Sequence, residues 1–164
     1  MAAERSTIQR EIEQAKPFRT RSQEAYVALL RTTADSKHFL SQKLDAEDIT
    51  LQQYNVLRIL RGAGDAGLPT LSVAARMLER TPGVTRLIDR MERKGWMIRE
   101  RGSEDRRRVW CMITEPGLRL LDRLDPAINS VDGVLTSALT DQELGVLIDY
   151  LDRIRAEFAE HNEA

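Results

Sequence analysis

Arginine side chains are the most distinctive chemical groups of this 164-residue chain, and they concentrate in one segment. Residues 76–108 hold 11 Lys and Arg against 6 Asp and Glu, a net charge of +5. Residues 109–164 hold 4 Lys and Arg against 11 Asp and Glu, a net charge of −7. The formal charge of −1 for the whole chain is therefore the sum of segments with opposite charge. Because guanidinium groups bind phosphate oxygens, the segment 76–108 is suited to contact a polyanion such as nucleic acid.

The centre of this cationic segment is predicted to be a helix with two different faces. Thr81-Pro82 is a typical start, a capping hydroxyl followed by a proline at the first helical position, and Lys94-Gly95 is a typical end. One face is apolar at helical spacing and consists of Val84, Leu87, Ile88 and Met91. The other face and the start of the helix form the predicted binding surface: Thr81, Pro82, Gly83, Thr85, Arg86, Asp89, Arg90 and Arg93.

A shorter helix is predicted immediately before this one. It begins at Thr70, and its apolar stripe consists of Leu71, Ala74, Ala75 and Leu78. Only residues 79–81 separate the two helices. Two short amphipathic helices joined by a three-residue turn are typical of a helix-turn-helix, whose second helix lies in the major groove of DNA.

Two β-prone runs follow the second helix. Residues 96–101 and 106–113 flank Gly102-Ser103-Glu104-Asp105, which has the composition of a turn. The predicted hairpin therefore carries Arg106, Arg107 and Arg108 at its tip. A helix-turn-helix followed by a basic hairpin describes a winged helix, in which the wing reaches phosphates or the minor groove.

These two motifs carry a resemblance to a known family. The segment Thr85–Gly95 resembles the recognition helix of MarR-type (multiple antibiotic resistance regulator) transcription factors, and Asp105–Thr114 followed by Gly117 resembles the wing signature of that family. The resemblance covers about residues 20–160, with Trp110-Cys111-Met112 bulkier than the usual valines. It implies a mainly α fold with a small β-hairpin wing, and a homodimer that binds an inverted-repeat operator in double-stranded DNA and usually represses transcription.

The arginines of the predicted helix differ in what they can reach. Arg86, with Thr85 beside it, lies in the N-terminal half and is the best candidate for a base edge, because its fork matches guanine O6 and N7. Arg90 and Arg93 lie further along and are expected to bind phosphate.

The resemblance also assigns roles in the wing. Arg107 corresponds to the wing-tip arginine of the family and would enter the minor groove. Asp105 would hold that arginine or the turn in shape through a charge-assisted hydrogen bond. Arg106 and Arg108 flank it as phosphate contacts.

Long apolar faces outside the winged segment predict dimerisation helices. One helix is expected from about Ser22 to Leu44, another begins after Thr114 with a kink or break near Pro126, and a capping box at Thr140 and Glu143 starts the last. Such faces are most simply buried against a second copy of the chain. The chain is predicted to divide into four parts: an arm or short accessory helix (1–16), an N-terminal dimerisation helix (17–48), the winged helix-turn-helix (49–114) and the C-terminal dimerisation helices (115–164).

The resemblance further implies a small effector, often an aromatic or phenolic anion, between the dimer helices and the winged domain. Tyr26, Leu30, Phe39 and Tyr54 lie on helices that could line such a cleft, although each is better explained as ordinary core. Other classes remain open: an adaptor that binds protein through the winged fold, which would favour an uncharged or acidic 82–94 face, or a DNA-binding protein without sequence preference or effector control.

Patterns for catalysis, metals and cofactors are not found in the sequence. Gly62-x-Gly64-x-x-Gly67 follows a predicted helix instead of a strand, so it is interpreted as a flexible linker and not as a dinucleotide site. His38 and His161 have no metal-ligand spacing, and the single Cys111 is interpreted as a buried structural thiol. Because these catalytic patterns are missing, we expect a protein that is not an enzyme. Because the sequence has no apolar run long enough to span a membrane and no signal peptide, we expect the protein to be cytoplasmic.

Overall fold

The structure is a computed structural model that describes residues 6–79, 83–101 and 109–163. It divides into two compact units, residues 1–51 and residues 52–164. The helices and strands, in chain order, are α1 (Thr7–Glu11), α2 (Arg21–Leu44), α3 (Leu51–Ala63), β1 (Leu68–Pro69), α4 (Thr70–Arg76), α5 (Val84–Arg93), β2 (Met97–Arg101), β3 (Val109–Ile113), α6 (Glu115–Ala138) and α7 (Asp141–Glu163). The predicted mainly helical fold with a β-hairpin is confirmed.

The first unit is built around the long helix α2. Thr20 caps it, because its hydroxyl accepts a hydrogen bond from the Gln23 amide at 3.1 Å. The helix predicted over 22–44 is confirmed to within one residue at its start. Leu44 is the buried residue of α2, so the rest of this helix keeps much of its surface accessible.

The second unit contains the hydrophobic core that supports the helix-turn-helix. Its fully buried side chains come from α3 to α6 and include Val56, Leu57, Leu60, Val73, Ile88, Met91, Met97, Cys111, Leu120, Leu121 and Leu124. Helix α3 contributes five buried residues to the second unit: Gln53, Tyr54, Val56, Leu57 and Leu60. Arg61 on α3 also binds Asp125 on α6 through two hydrogen bonds of 2.9 and 3.3 Å, which fixes the two helices to each other.

The predicted apolar stripe of α4 is wrong by one residue. Leu71 and Leu78 are 83% and 82% exposed, whereas Val73 is fully buried. The inward face is Thr70, Val73, Ala74 and Met77. The helix ends at Arg76, so Leu78 lies in the connection to α5, where its amide donates to Asn55 Oδ1 at 2.9 Å. Helix α4 ends at Arg76 and α5 begins at Val84, whereas only residues 79–81 were predicted to separate the two helices.

The predicted hairpin is confirmed by an antiparallel pairing of β2 with β3, from Met97 opposite Ile113 to Arg101 opposite Val109. A third strand, β1, pairs with the other edge of β3, so the sheet order is β1-β3-β2. The interpretation of Gly62–Gly67 as a flexible linker is corrected, because Gly62 lies in α3, Gly64–Ala66 forms a short 3₁₀ helix and β1 follows directly. Gly67 is buried, and a Cβ there would lie 2.6 Å from the Cys111 carbonyl oxygen, so this close approach requires glycine.

Helices α6 and α7 complete the chain. Of the predicted kink or break near Pro126, the break is wrong, because α6 continues through this proline to Ala138, and the kink stays a prediction. Proline removes one backbone donor, and the intact turns on both sides hold the helix. The capping box that starts α7 is confirmed: the Thr140 amide donates to Glu143 Oε2 at 2.8 Å, and the Glu143 amide donates to Thr140 Oγ1 at 3.3 Å. No helix within the described ranges has the length and apolar character needed to cross a bilayer.

Candidate nucleic-acid interface

Helix α5 begins two residues later than predicted. Its first residue is Val84, and Gly83 is the N-cap with a φ of 87°, a left-handed conformation that glycine adopts without strain. The carbonyl of Gly83 accepts from the amides of Arg86 and Leu87 at 2.9 and 3.2 Å, which closes the first turn. Thr81 and Pro82, predicted as cap and first helical residue, lie outside the described residues.

The predicted end of α5 is confirmed in atomic detail. Gly95 has a φ of 72°, its amide donates to the Glu92 carbonyl at 2.9 Å, and the Trp96 amide donates to the Met91 carbonyl at 3.1 Å. This pair of bonds is a Schellman motif, which satisfies carbonyls that a helix end leaves free. Thr114 Oγ1 donates to the Gly95 carbonyl at 2.6 Å, so the end of α5 is held against the start of α6.

The two faces of α5 have the predicted character. Leu87, Ile88 and Met91 are buried in the core of the second unit. On the opposite side, Thr85, Arg86, Arg90 and Arg93 are exposed, as is Gly83 at the N-cap. Three guanidinium groups thus project from a helix whose other face is fixed, an arrangement that can meet the phosphates and base edges of a DNA groove.

Asp89 differs from its neighbours on this face, because it takes part in an ion pair with the sheet. Arg99 on β2 places Nη1 2.7 Å from Asp89 Oδ1. The same guanidinium binds Glu92, with Nε 3.0 Å and Nη2 2.5 Å from Oε2, and the Arg99 amide donates to Glu92 Oε1 at 3.1 Å. We call Arg99, Asp89 and Glu92 the Arg99 cluster.

The Arg99 cluster changes the charge properties of its members. Hydrogen bonding from Arg99 lowers the pKa of Glu92, and hydrogen bonding to Glu92 raises the pKa of Arg99. Arg99 and Glu92 therefore stay ionised at neutral pH. Sequence reasoning missed Arg99 and Glu92 as site residues. The available signal was an acidic pair at i and i+3 on an otherwise cationic face, which calls for a nearby cation.

The wing is described only at its base. Arg101 and Val109 form the last pair of the hairpin, and the residues between them, which include Asp105, Arg106, Arg107 and Arg108, lie outside the described residues. Their predicted roles stay predictions. The orientation of β2 and β3 is nevertheless fixed to α5, since the Arg99 cluster joins that helix to β2.

The four residues proposed for an effector cleft lie in different surroundings. In the first unit, Tyr26 and Leu30 are each 52% exposed, and Phe39 is half-buried with Lys43 Nζ 4.9 Å from its ring centre. In the second unit, Tyr54 is buried, and its hydroxyl accepts a hydrogen bond from Arg58 at 2.9 Å. Tyr26 and Leu30 are thus accessible to a ligand or partner, whereas Tyr54 is part of the core.

Cys111 is a buried thiol, as predicted. It has no accessible surface, and its Sγ lies 3.4 Å from Thr70 Oγ1. Burial raises the pKa of the thiol, which lowers its reactivity. Within the described ranges, no group of three or more His, Cys, Asp or Glu side chains is arranged to hold a metal ion.

Comparison with known proteins identifies similar chains. The family model described as MarR family matches residues 49–109, which contain α5 and reach the start of β3. A MarR transcription factor from Planctomyces limnophilus, known from its crystal structure, is 35% identical, with 82% of this chain and 98% of that chain covered and a TM-score of 0.63.

Two further proteins are similar over much of their length. The S. aureus MepR–DNA complex contains a chain that is 28% identical, with 80% of this chain and 97% of that chain covered and a TM-score of 0.73. A putative transcriptional regulatory protein for the hcr operon of Thauera aromatica is 30% identical over 108 residues, which cover 66% of this chain and 64% of that protein. The match therefore spans just under two thirds of the length of this curated relative.

Proposed function

Because this chain belongs to the MarR family of transcriptional regulators, we propose that it binds an inverted-repeat operator in double-stranded DNA as a homodimer and represses transcription. The observation that carries the proposal is the opposition of two faces on α5. Leu87, Ile88 and Met91 fix the helix, and exposed arginines project from its other side. In the similar MepR structure the protein is in complex with DNA, which supports the assignment of this surface to DNA.

Helix α7 supports the homodimer. No residue from Asp141 to His161 is buried, although this part of the helix carries five large apolar side chains that are between 41% and 57% exposed. These are Val146, Ile148, Tyr150, Ile154 and Phe158. A second copy can cover them in a two-fold arrangement, and two copies present two recognition helices to half-sites about 10 bp apart.

The homodimer and the inverted repeat are tested together by the spacing of the half-sites. Inserting about 5 bp between them turns one half-site to the opposite side of the duplex, so we expect tight binding to be lost. The measurement is fluorescence anisotropy with labelled duplexes of equal length, and the control is an insertion outside the two half-sites. An affinity that does not change when the central insertion is made would favour a monomer or a DNA-binding protein without sequence preference.

The wing is tested by Arg107→Ala. We propose that Arg107 enters the minor groove, so its loss should weaken operator binding and leave the dimer intact. Arg119→Ala, which removes one exposed positive charge from α6, is the matched control. If the two variants bind the operator with equal affinity, the wing has no specific role.

An effector extends the proposal. Half-exposed Tyr26 and Leu30 provide apolar surface in the first unit, which suits a small aromatic or phenolic anion. A hydroxybenzoate titrated into the protein–operator complex is expected to release DNA, and Tyr26→Ala should reduce that response without changing the affinity for DNA in the absence of the anion. A response that is the same in Tyr26→Ala and in the unmodified protein would remove this residue from the effector site.

Two other functions make different predictions. An adaptor that binds protein would not need the exposed arginines of α5, and it would leave operator DNA unbound. A DNA-binding protein without sequence preference would bind operator and scrambled duplexes equally. The DNA binding, the operator, the repression and a cytoplasmic site of action are all parts of the proposal.

A further inference from the structure

We infer that Arg99 is a positioning residue for DNA recognition, which holds α5 in one orientation on the sheet and offsets part of the negative charge of the two carboxylates of that helix. Arg99 lies on β2 and belongs to no part of the predicted binding surface. The inference rests on the proposed function, because it concerns how the same α5 surface reaches DNA. It adds a residue whose contribution acts through other side chains.

The geometry of the Arg99 cluster is directional. The Arg99 side chain makes two contacts to Glu92 and one to Asp89, and its backbone amide makes a further bond to Glu92. The two carboxylates are three residues apart on one side of α5, so a single guanidinium spans nearly a full helical turn. A planar fork with several bonds fixes direction as well as distance.

The apolar face alone does not provide this direction. Leu87, Ile88 and Met91 determine which side of α5 is buried, but the hydrophobic effect that buries them has no preferred direction. Base recognition is more demanding, because the fork of an arginine must meet guanine O6 and N7 at hydrogen-bonding distance. A rotation of α5 that the core accepts can therefore carry Arg86 away from a base edge.

The cluster also removes a repulsion. Asp89 lies on the helix face between Arg86, Arg90 and Arg93, where DNA phosphates are expected. Its side chain is 43% exposed, so an unpaired carboxylate there would repel phosphates. Pairing with Arg99 offsets part of this charge, so the positive charge of the three exposed arginines dominates the surface.

The first test compares Arg99→Gln with Arg119→Gln, which removes the same charge from an exposed i,i+4 pair on α6. For each full-length variant, the dissociation constants for the operator and for a scrambled duplex are measured at one salt concentration, together with thermal unfolding. We expect Arg99→Gln to lower the ratio of operator to scrambled affinity about tenfold and Arg119→Gln to leave it unchanged. An unchanged ratio in Arg99→Gln, with only a lower Tm, would overturn the inference.

The second test separates orientation from charge. The triple variant Asp89→Asn, Glu92→Gln, Arg99→Gln has no carboxylate at the cluster, and its net charge is one unit more positive than that of the original protein. We expect its binding to scrambled DNA to recover fully while the affinity ratio stays low, since the ionic bonds that orient α5 are gone. A ratio restored to the original value would mean that the cluster acts through charge alone, which overturns the positioning role.

Arg99→Lys keeps the inference testable if Arg99→Gln does not fold. Lysine preserves the charge but lacks the fork that binds both carboxylates, so we expect a ratio below that of the original protein. A ratio equal to the original would overturn the positioning role. Failure of the unmodified protein to bind either duplex would instead overturn the proposed function itself.

Discussion

Helices α5 and α7 both carry apolar side chains, but only those of α5 are buried within their own unit. The ten residues of α5 include three buried side chains, and its exposed side is charged. The 23-residue α7 has no buried residue between Asp141 and His161, and its apolar side chains remain accessible. The comparison shows that α5 is stabilised by its own unit, whereas α7 presents a face that calls for a partner.

Helix α6 contains both buried and accessible apolar side chains. Leu120, Leu121 and Leu124 are buried, whereas Val134 and Leu135, after Pro126, are 53% and 47% exposed. The change from internal core to accessible surface therefore occurs within one helix. Two leucines of α6 provide a matched pair with which to test it.

The largest effect on stability is expected from Leu121→Ala. This side chain is fully buried, so its truncation should lower the free energy of unfolding by about 2–5 kcal/mol. Urea denaturation followed by circular dichroism measures the change. Leu135→Ala on the same helix is the control, and its effect should depend on protein concentration, since it acts on association. Equal, concentration-independent losses in both variants would contradict the division of α6.

Charges on α7 should dissociate the proposed dimer. We expect Ile148→Glu with Ile154→Glu to shift the protein to monomers, because burying each isoleucine in the proposed interface would contribute about 1.5–3 kcal/mol and each occurs twice in a two-fold arrangement. Sedimentation velocity measures the association state, and Glu160→Gln on the same helix is the control. A variant that remains dimeric would place the interface elsewhere and leave the exposed face of α7 unexplained.

A smaller effect is expected on the exposed side of α5. Arg86→Ala should weaken operator binding by about 1–3 kcal/mol and relax base preference at one position in each half-site. Arg93→Ala should weaken binding to operator and random DNA alike, since it is proposed to contact phosphate. Binding to a library of single-base operator variants measures both. A loss for Arg86→Ala that is equal on random DNA would identify this residue as a phosphate contact.

The smallest expected effect is a pH dependence of the Arg99 cluster. The pKa of Glu92 is lowered from its usual 4.5, so the stabilising interaction with Arg99 is present above pH 4.5 and is lost as the pH falls through the lower value in the folded state. The difference in unfolding free energy between the original protein and Glu92→Gln should therefore shrink below pH 4.5. A difference that is constant from neutral to acidic pH would show that the ion pair contributes nothing to stability.

Local chemistry made several elements predictable from the sequence. Lys94-Gly95 ends α5 because glycine adopts the left-handed conformation of a Schellman motif, and Thr140 with Glu143 starts α7 as a capping box. The hairpin was predictable from two β-prone runs around a turn. In each case the residues that determine the structure are close neighbours in the sequence.

Features that depend on tertiary packing were not predictable. The stripes Leu71-Ala74-Ala75-Leu78 and Thr70-Val73-Ala74-Met77 both have helical spacing, and only the core selects the second. The strand β1 has two residues, one of them Pro69, so it has no periodicity to detect. The Arg99 cluster requires the Schellman turn to bring β2 back along α5. The roles of Thr81, Pro82 and the wing arginines stay predictions, since these residues lie outside the described ranges.

The most direct test of the proposed function is binding of the purified protein to the DNA upstream of its own gene, measured by fluorescence anisotropy over a range of salt concentrations. A scrambled duplex of equal length is the control. The proposal predicts tight binding to the upstream DNA, weaker binding to the scrambled duplex, and an affinity that falls steeply with salt as counterions are released. Failure of a folded dimer to bind either duplex at low salt would contradict the assignment of the α5 surface to DNA.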